Sequence, residues 1–319
     1  MSQIKATIVA DSYSAVNGKR ITTFELEYPR WIHGEILTHR LFSRNAMSSR
    51  AVPIEKMIEQ VRNDPAVPTH WGKNQSGMQA KEELSGENEY GYDLKELLKA
   101  RWHESAKFQA SFAQEFSDHG LHKQVVNRIL EPFQLMKTVV TSTEFENFFW
   151  LRKHEDAQPE IKELAERMYE QLEWNKLLTV ELDVGDWHTP YYEAGYWFKE
   201  HQDTLGWYDK NGVSLEDALA ISSSCCAQVS YRLLDDSIEK ARMIYQRLVE
   251  SEPVHASPFE HQATPMKDCG YVNISYDPKP IYIWEDGVTH IDSEGQFWSG
   301  NFRSFIQYRQ LIPNNVKKG

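Results

Sequence analysis

Phe24, Leu26 and Tyr28 alternate with Thr23, Glu25 and Glu27, the period-two pattern of a strand with one buried and one wet face. Asn17-Gly18 is a turn signal just before it, so residues 4–28 read as a β-hairpin made of ATIVADSYS and RITTFELEY. The period then changes. Pro29 can open a helix, and Ile32, Ile36, Leu37 and Leu41 recur at helical spacing, which predicts a helix from Trp31 to about Phe42 that runs into a loop at SRNAMSSRAVP. Prolines, glycines and polar residues in DPAVPTHWGKNQSGMQ make residues 64–90 an irregular excursion and a candidate lid.

Long helical patterns occupy the middle of the chain. One runs from about Leu94 to His119 and stops at Gly120, a second from Lys123 to about Ile129, and a third through FENFFWLRKHEDAQPEIKELAERMYEQL. Residues 185–212 form an aromatic-rich connection in which Trp187 and His188, like Trp71 in the excursion, are candidates for stacking on a flat ligand. Ser214 reads as the N-cap of a helix near 214–227, and another helix follows near 235–250. KPIYIW predicts a short strand and NFRSFIQYRQLI a last helix. Its Arg303, Gln307 and Arg309 suit a surface or subunit-interface helix, or else serve a site as polar groups. No repeat, low-complexity tract or clean domain linker interrupts the chain.

Composition narrows the function classes. With 40% hydrophobic residues, the 319-residue chain can bury a substantial core. Its net charge of −12, from 35 basic and 47 acidic residues, has the wrong sign for coating a nucleic-acid polymer, so a small anionic ligand needs a local basic pocket. Cys225 and Cys226 are adjacent and Cys269 is remote, which gives neither a disulfide framework nor a CxxC metal pair; a reducing compartment, the cytoplasm, is the expectation. No segment approaches the roughly 20 apolar residues of a membrane span, and no metal site is expected. Rossmann, P-loop, zincin and hydrolase-elbow signatures are missing.

Three constellations carry candidate chemistry. In EILTHRLFSRNAMSSR, residues 35–50, a helix would place Glu35, His39 and Ser43 on one face, and Arg40, Arg44 and Arg50 add three cations beside Ser48. Bidentate guanidinium donors and short hydroxyls are what a phosphate dianion needs, although the same run also suits a solvated basic face. In HASPFEH, residues 255–261, Ser257 can hold a phosphate at a turn or helix start, and Glu260 and His261 are placed for hydrogen bonding; a capped helix start with a buried Phe259 is the plainer reading. Arg128 and Arg152 lie in largely apolar stretches, where each needs an anionic ligand or an acidic partner such as Glu131 or Glu155.

Together these segments resemble the flavin-dependent thymidylate synthases, the ThyX family. That family carries R-H-R-x-x-S-x-N-E-x-S-x-R-Y after a Pro-Arg helix start. Here Pro29-Arg30 leads to a run in which His39, Arg40, Ser43, Asn45, Ser48 and Arg50 match, while Thr38, Ala46 and Ala51 depart and Glu35 replaces the usual Gln. NRILEP at 127–132 is similar to the family's A-R-x-x-L-P, and Asn147 to Ile161 to its N-F-L-x-L-R-x-x-x-x-A-Q-x-E-I. AQVSY at 227–231 resembles A-R-x-S, and HASPFEH resembles H-x-[ST]-P-F-E-H. The family's Asn-Ala-Arg-Ser stretch is absent. In the family the last two motifs precede the His-Arg motif, so their order here implies a circular permutation, similar to that of ThyX-like proteins of bacterial viruses.

The resemblance implies a single α+β domain over residues 1–319, a ThyX-like mixed α/β fold with a central β-sheet and long helices. Insertions would lie near 64–92 and 185–212, with a C-terminal extension at 265–319. It implies dTMP synthesis from dUMP, with FAD as redox carrier, NADPH as reductant and methylenetetrahydrofolate as one-carbon donor, in a homotetramer. Arg152, His39 and Arg50 would be catalytic, and Ser48, Arg50 and Arg128 would hold the nucleotide phosphate, with Glu35 and His255 also at the nucleotide. Arg152 would polarise the pyrimidine carbonyl. His39, Arg40, Asn147, Ser230, Ser257 and Glu260 would contact the flavin. With the signature Glu replaced by Ala46, methylation or hydroxymethylation of another deoxypyrimidine nucleotide such as dCMP, and a non-catalytic binding or structural role, remain as alternatives.

Overall fold

The hairpin forms the middle of a five-stranded sheet. In the computed structural model, which describes residues 2–77, 79–199, 201–203, 206–208, 212–230, 235–267 and 284–317, β1 (Lys5–Ser14) and β2 (Arg20–Pro29) pair antiparallel around a turn where Gly18 has φ 68°. A positive φ is the conformation for which glycine costs least. β3 (Ser43–Ala46), β4 (Leu135–Ser142) and β5 (Val180–Leu182) complete the order β3-β4-β2-β1-β5, with only β5 parallel to its neighbour.

The helices are α1 (His33–Ile36), α2 (Ile54–Asn63), α3 (Leu94–Asp118), α4 (Lys123–Ile129), α5 (Glu146–Arg152), α6 (Pro159–Trp174), α7 (Leu215–Ala227) and α8 (Ile238–Val249). Mixed helix and sheet, with a long α3 and a central sheet, is the expected α+β class. The helix expected from Trp31 to Phe42 is much shorter. It ends at Ile36, because the Thr38 hydroxyl donates to the Glu35 carbonyl at 2.6 Å and Arg44 Nη1 donates to the carbonyls of Ile36, Leu37 and His39 at 3.4, 3.2 and 2.8 Å. Side chains thus take the acceptors that a further helical turn would use. The chain then extends, and Ser43–Ala46, expected as the end of a helix and a loop, pairs with β4. The third helical pattern is likewise two helices, α5 and α6, separated by residues 153–158, with Pro159 suited to the first turn of α6 that it opens. Ser214 caps α7 as expected, accepting from the Asp217 amide at 3.2 Å.

Ile161, Leu164, Ala165 and Met168 of α6 pack on one face of the sheet against Ile4, Phe24, Leu26 and Tyr28. The opposite face was expected to be wet, yet Thr23 is fully buried there. It is covered by a second sheet of β6 (Trp187–His188), β7 (Tyr196–Trp197), β10 (Ala263–Pro265) and β14 (Phe305–Gln307), in the order β14-β10-β6-β7. β8 (His201–Asp203) pairs with β9 (Gly206–Tyr208), and β11 (His290–Ile291), β12 (Phe297–Ser299) and β13 (Phe302–Arg303) form a small sheet. The two main sheets are joined through a buried polar chain. Ser12 Oγ meets His188 Nδ1 at 3.1 Å, His188 Nε2 meets Thr23 Oγ1 at 2.8 Å, Thr23 meets Thr141 at 2.7 Å, and Thr141 meets His261 Nδ1 at 2.8 Å. Burial holds both histidines neutral, depressing each to about 3.

His188 and Trp187 are therefore core residues and not a stacking platform: His188 is fully buried, and Trp187 packs edge-on against Tyr308. The C-terminal helix expected at 301–309 is instead β13, β14 and a 3-10 turn at Tyr308–Leu311, since Phe302, Phe305 and Ile306 are buried in strand positions. Cys269 and most of the KPIYIW strand lie outside the described residues. Among the described residues no helix is long and apolar enough to cross a membrane.

Candidate active site

Arg152, at the end of α5, meets the segment that follows α1. Its Nη1 donates to Glu35 Oε2 at 2.6 Å, its Nε to His39 Nε2 at 3.0 Å and its Nη2 to Thr38 Oγ1 at 3.3 Å. Three of its five N–H donors are thereby used and two remain. The partner is Glu35 and not Glu155. His39 is buried, with Phe148 edge-on at 4.9 Å. Burial first, then the charges of Arg152 and Arg44, depress it to about 4, so the imidazole is neutral at neutral pH and accepts from Arg152 at Nε2. Glu35 and His39 share this cluster as expected, although not on one helix face; Ser43 points elsewhere, its Oγ 3.0 Å from Asn301 Oδ1. A cavity of about 1120 Å3 opens beside Glu35 and Arg152, lined also by Trp31, Trp102 and His70, and the excursion at 64–90 supplies part of its wall.

A second cluster sits on the far side of Arg44. Glu260 lies in the 3-10 turn Ser257–Glu260, which packs against β3, and Arg309 Nη1 donates to its Oε1. Burial raises the Glu260 carboxyl above its ordinary range while Arg309 and Arg44 pull it back. Arg44, expected as one of three cations of a phosphate-binding run, instead donates to the carbonyls at the end of α1 and to that of His39, and its charge faces Glu260. Its signal was the helix end that it caps, which the predicted longer helix concealed.

Arg50 and Arg128 lie on neighbouring segments. The buried Asn127 donates from Nδ2 to the carbonyls of Ser49 at 2.7 Å and Val52 at 3.2 Å, and Lys123 Nζ donates to the Ala51 carbonyl at 3.0 Å, so the 48–52 turn is fixed to α4. Ser48 Oγ accepts from the Arg50 amide at 3.2 Å. Arg128 is 3.7 Å from Glu131, which also accepts from Arg30 at 3.0 Å, and the Arg128 side chain remains 61% exposed. Arg40, Arg50, Asn147, His255 and Ser257 are exposed. The structure therefore brings Glu35, His39 and Arg152 into contact, sets Arg50 beside the Arg128 helix, and leaves Arg40, Asn147, His255 and Ser257 outside direct side-chain contact with them. The side chain of Ser230 lies outside the described residues. Burial raises the Cys225 thiol to about 12 and raises Cys226 as well, so neither supplies a thiolate. No group of His, Cys, Asp and Glu suited to a metal ion occurs among the described residues.

The first thing this arrangement defines is a class: a mixed α/β scaffold with an Arg152–His39–Glu35 cluster beside a cavity and, among the described residues, only buried cysteine thiols. The chain belongs to the thymidylate synthase complementing protein family, Thy1, whose model matches residues 8–174. That match includes the Glu35, His39, Arg50, Arg128 and Arg152 segments and ends before Ser257. Among solved structures, a UMP/dUMP methylase PolB from Streptomyces cacaoi bound with 5-Br dUMP is 17% identical, with 56% of this chain and 92% of that chain covered at a TM-score of 0.41. The same protein bound with 5-Br UMP gives 17%, 56%, 91% and 0.42. A flavin-dependent thymidylate synthase ThyX from Helicobacter pylori complexed with FAD and dUMP gives 17% identity, 50% and 71% coverage, and a TM-score of 0.33. None of the curated proteins matches.

Proposed function

We propose that the protein is a flavin-dependent methylase of a deoxypyrimidine nucleotide, converting dUMP to dTMP with methylenetetrahydrofolate as one-carbon donor and NADPH as reductant. Family membership supports the reaction class. The observation that carries the reading is the assembly of Arg152, His39 and Glu35, from two segments far apart in sequence, beside a cavity that Glu35 and Arg152 line. Arg152 has two N–H donors left for a pyrimidine carbonyl and can stabilise negative charge developing there. His39, neutral and held by Arg152, orients that guanidinium without adding a charge. Arg50 and Arg128, with Ser48, suit the nucleotide phosphate, and His255 belongs with the nucleotide or the folate.

The donor set also fits FAD. Arg40 is an exposed guanidinium without a side-chain partner among the described residues, which suits an anionic pyrophosphate, and Asn147 and Ser257 add exposed polar groups. His39, Glu260 and Ser230 would join them. Bound FAD would supply the redox chemistry of the transferred carbon. High thiol pKa values at Cys225 and Cys226 favour this chemistry over thiolate-dependent methylation. The same reading takes residues 1–319 as one catalytic domain with permuted motif order, acting in the cytoplasm as a homotetramer that buries the exposed arginines at shared sites.

One observation favours a second substrate. Glu35 is an acceptor beside Arg152, and the exocyclic amine of dCMP donates where the uracil O4 accepts. Incubation of the purified protein with FAD, NADPH, methylenetetrahydrofolate and either dUMP or dCMP, read by mass spectrometry of the nucleotide, tests both. A product heavier than dUMP by one CH2 supports thymidylate synthesis, and a modified dCMP supports the second reading. If both nucleotides stay unmodified, the methylase reading fails.

A further inference from the structure

We infer that Gln307 and Arg309, in the C-terminal segment beyond the family match, are positioning residues that hold Glu260 in the site, with Gln307 anchoring its turn to β3 at Ser43. The inference rests on the flavin reading of Glu260 given above. Gln307 is 1% exposed, and its Nε2 lies 3.0 Å from Ser43 Oγ, 3.2 Å from the Glu260 carbonyl and 2.8 Å from Asn301 Oδ1. One amide group therefore bridges β3, which begins at Ser43, and the Ser257–Glu260 turn. Gln307 Oε1 is occupied in turn by Gln310 Nε2 at 3.1 Å.

The bridge is itself fixed by the backbone. β14 pairs with β10 so that Gln307 stands opposite Ala263, the Gln307 amide donates to Ser299 Oγ at 3.0 Å, and the Tyr308 amide donates to the Gln262 carbonyl at 2.9 Å. A Cβ at Gly300 would come within 2.5 Å of Gln307 Oε1, so the glycine leaves room for the side chain. These contacts deliver Arg309 to Glu260.

The charged groups facing Glu260 are Arg309 and Arg44. Arg44 also donates to the His39 carbonyl, and His39 accepts from Arg152, so a chain of contacts and facing charges runs from Arg309 through Glu260, Arg44 and the neutral His39 to Arg152. A buried carboxyl keeps its charge and rotamer only while such partners face it. Arg309 thereby sets the ionisation of Glu260, and Gln307 sets the position of the turn that carries it.

FAD binding to the full chain, followed by flavin fluorescence across pH, tests this in the wild type, Arg309→Met, Arg309→Lys, Glu260→Gln and the Arg309→Met/Glu260→Gln double variant. Arg309→Met is expected to weaken FAD binding about tenfold and to move the acid limb of binding to higher pH, with Arg309→Lys restoring most of both. In the Glu260→Gln background the same Arg309→Met change is expected to cost less than half as much, because its effect passes through Glu260. Wild-type binding with unchanged affinity and an unshifted acid limb in Arg309→Met, or full additivity in the double variant, would overturn the inference alone. No FAD uptake by the wild type would overturn the flavin reading and this inference with it.

Discussion

Arg152 is the residue on which the site turns, because it binds Glu35, Thr38 and His39 through three separate nitrogens. Replacing Arg152 or Arg50 with Ala is expected to lower turnover by at least about a hundredfold with the fold intact, since the loss falls on ligand charge. Arg152→Ala should also raise His39 from about 4 towards its ordinary value, since the Arg152 charge helps to hold it down. NMR titration of labelled histidine checks this, and an unmoved His39 would contradict the assignment. Glu35→Gln removes the charge that neutralises Arg152 while keeping an acceptor; dUMP should bind a few-fold tighter and dCMP weaker, measured by isothermal titration. His39 and Arg152 of this cluster were legible in the sequence, as were Arg50 and Arg128 outside it, because all four stand in recognisable motifs. The partner of Arg152 was not, because Glu35 and Glu155 are equally plausible until α5 is placed against α1.

At the scale of elements, the hairpin, α3, α4 and the Ser214-capped α7 follow local signals, and the sequence shows them. Pro159 is a local signal too, opening α6 after α5 has ended at Arg152. Two features are set by longer-range contacts instead: Arg44 of β3 caps the end of α1, and burial of Phe302, Phe305 and Ile306 makes strands of a stretch that has helical spacing. The polar chain between the sheets is the strongest case, since Thr23, Thr141, His188 and His261 give no local hint that they meet. Thr141→Val leaves His261 Nδ1 without its partner and should cost about 1–3 kcal/mol in urea unfolding. An unchanged midpoint would show that the chain is not a structural joint. Both histidines are depressed to about 3 in the fold, so the unfolded chain binds more protons below its histidine pKa near 6.5. Stability is full above about pH 6.5 and falls as pH drops from there towards 3. A urea midpoint that stays constant from pH 7 to pH 4 would contradict this.

Across the whole molecule, an acidic chain with a net charge of −12 leaves Arg40, Arg50 and Arg128 exposed. The family match explains the first half of the chain, residues 8–174, and the C-terminal half packs on it by covering Thr23, bonding Thr141 and bringing Glu260 to β3. The motif resemblance already grouped Ser257 and Glu260 with His39 and Arg40, whereas the buried role of Gln307 was hidden by a helical pattern. The most direct test of the account is the visible spectrum of the purified protein supplied with FAD, titrated separately with dUMP and dCMP. The account predicts a bound-flavin spectrum that shifts when a pyrimidine nucleotide is added, with the shift lost in Arg152→Ala. A spectrum identical to that of free FAD, unmoved by either nucleotide, would contradict it.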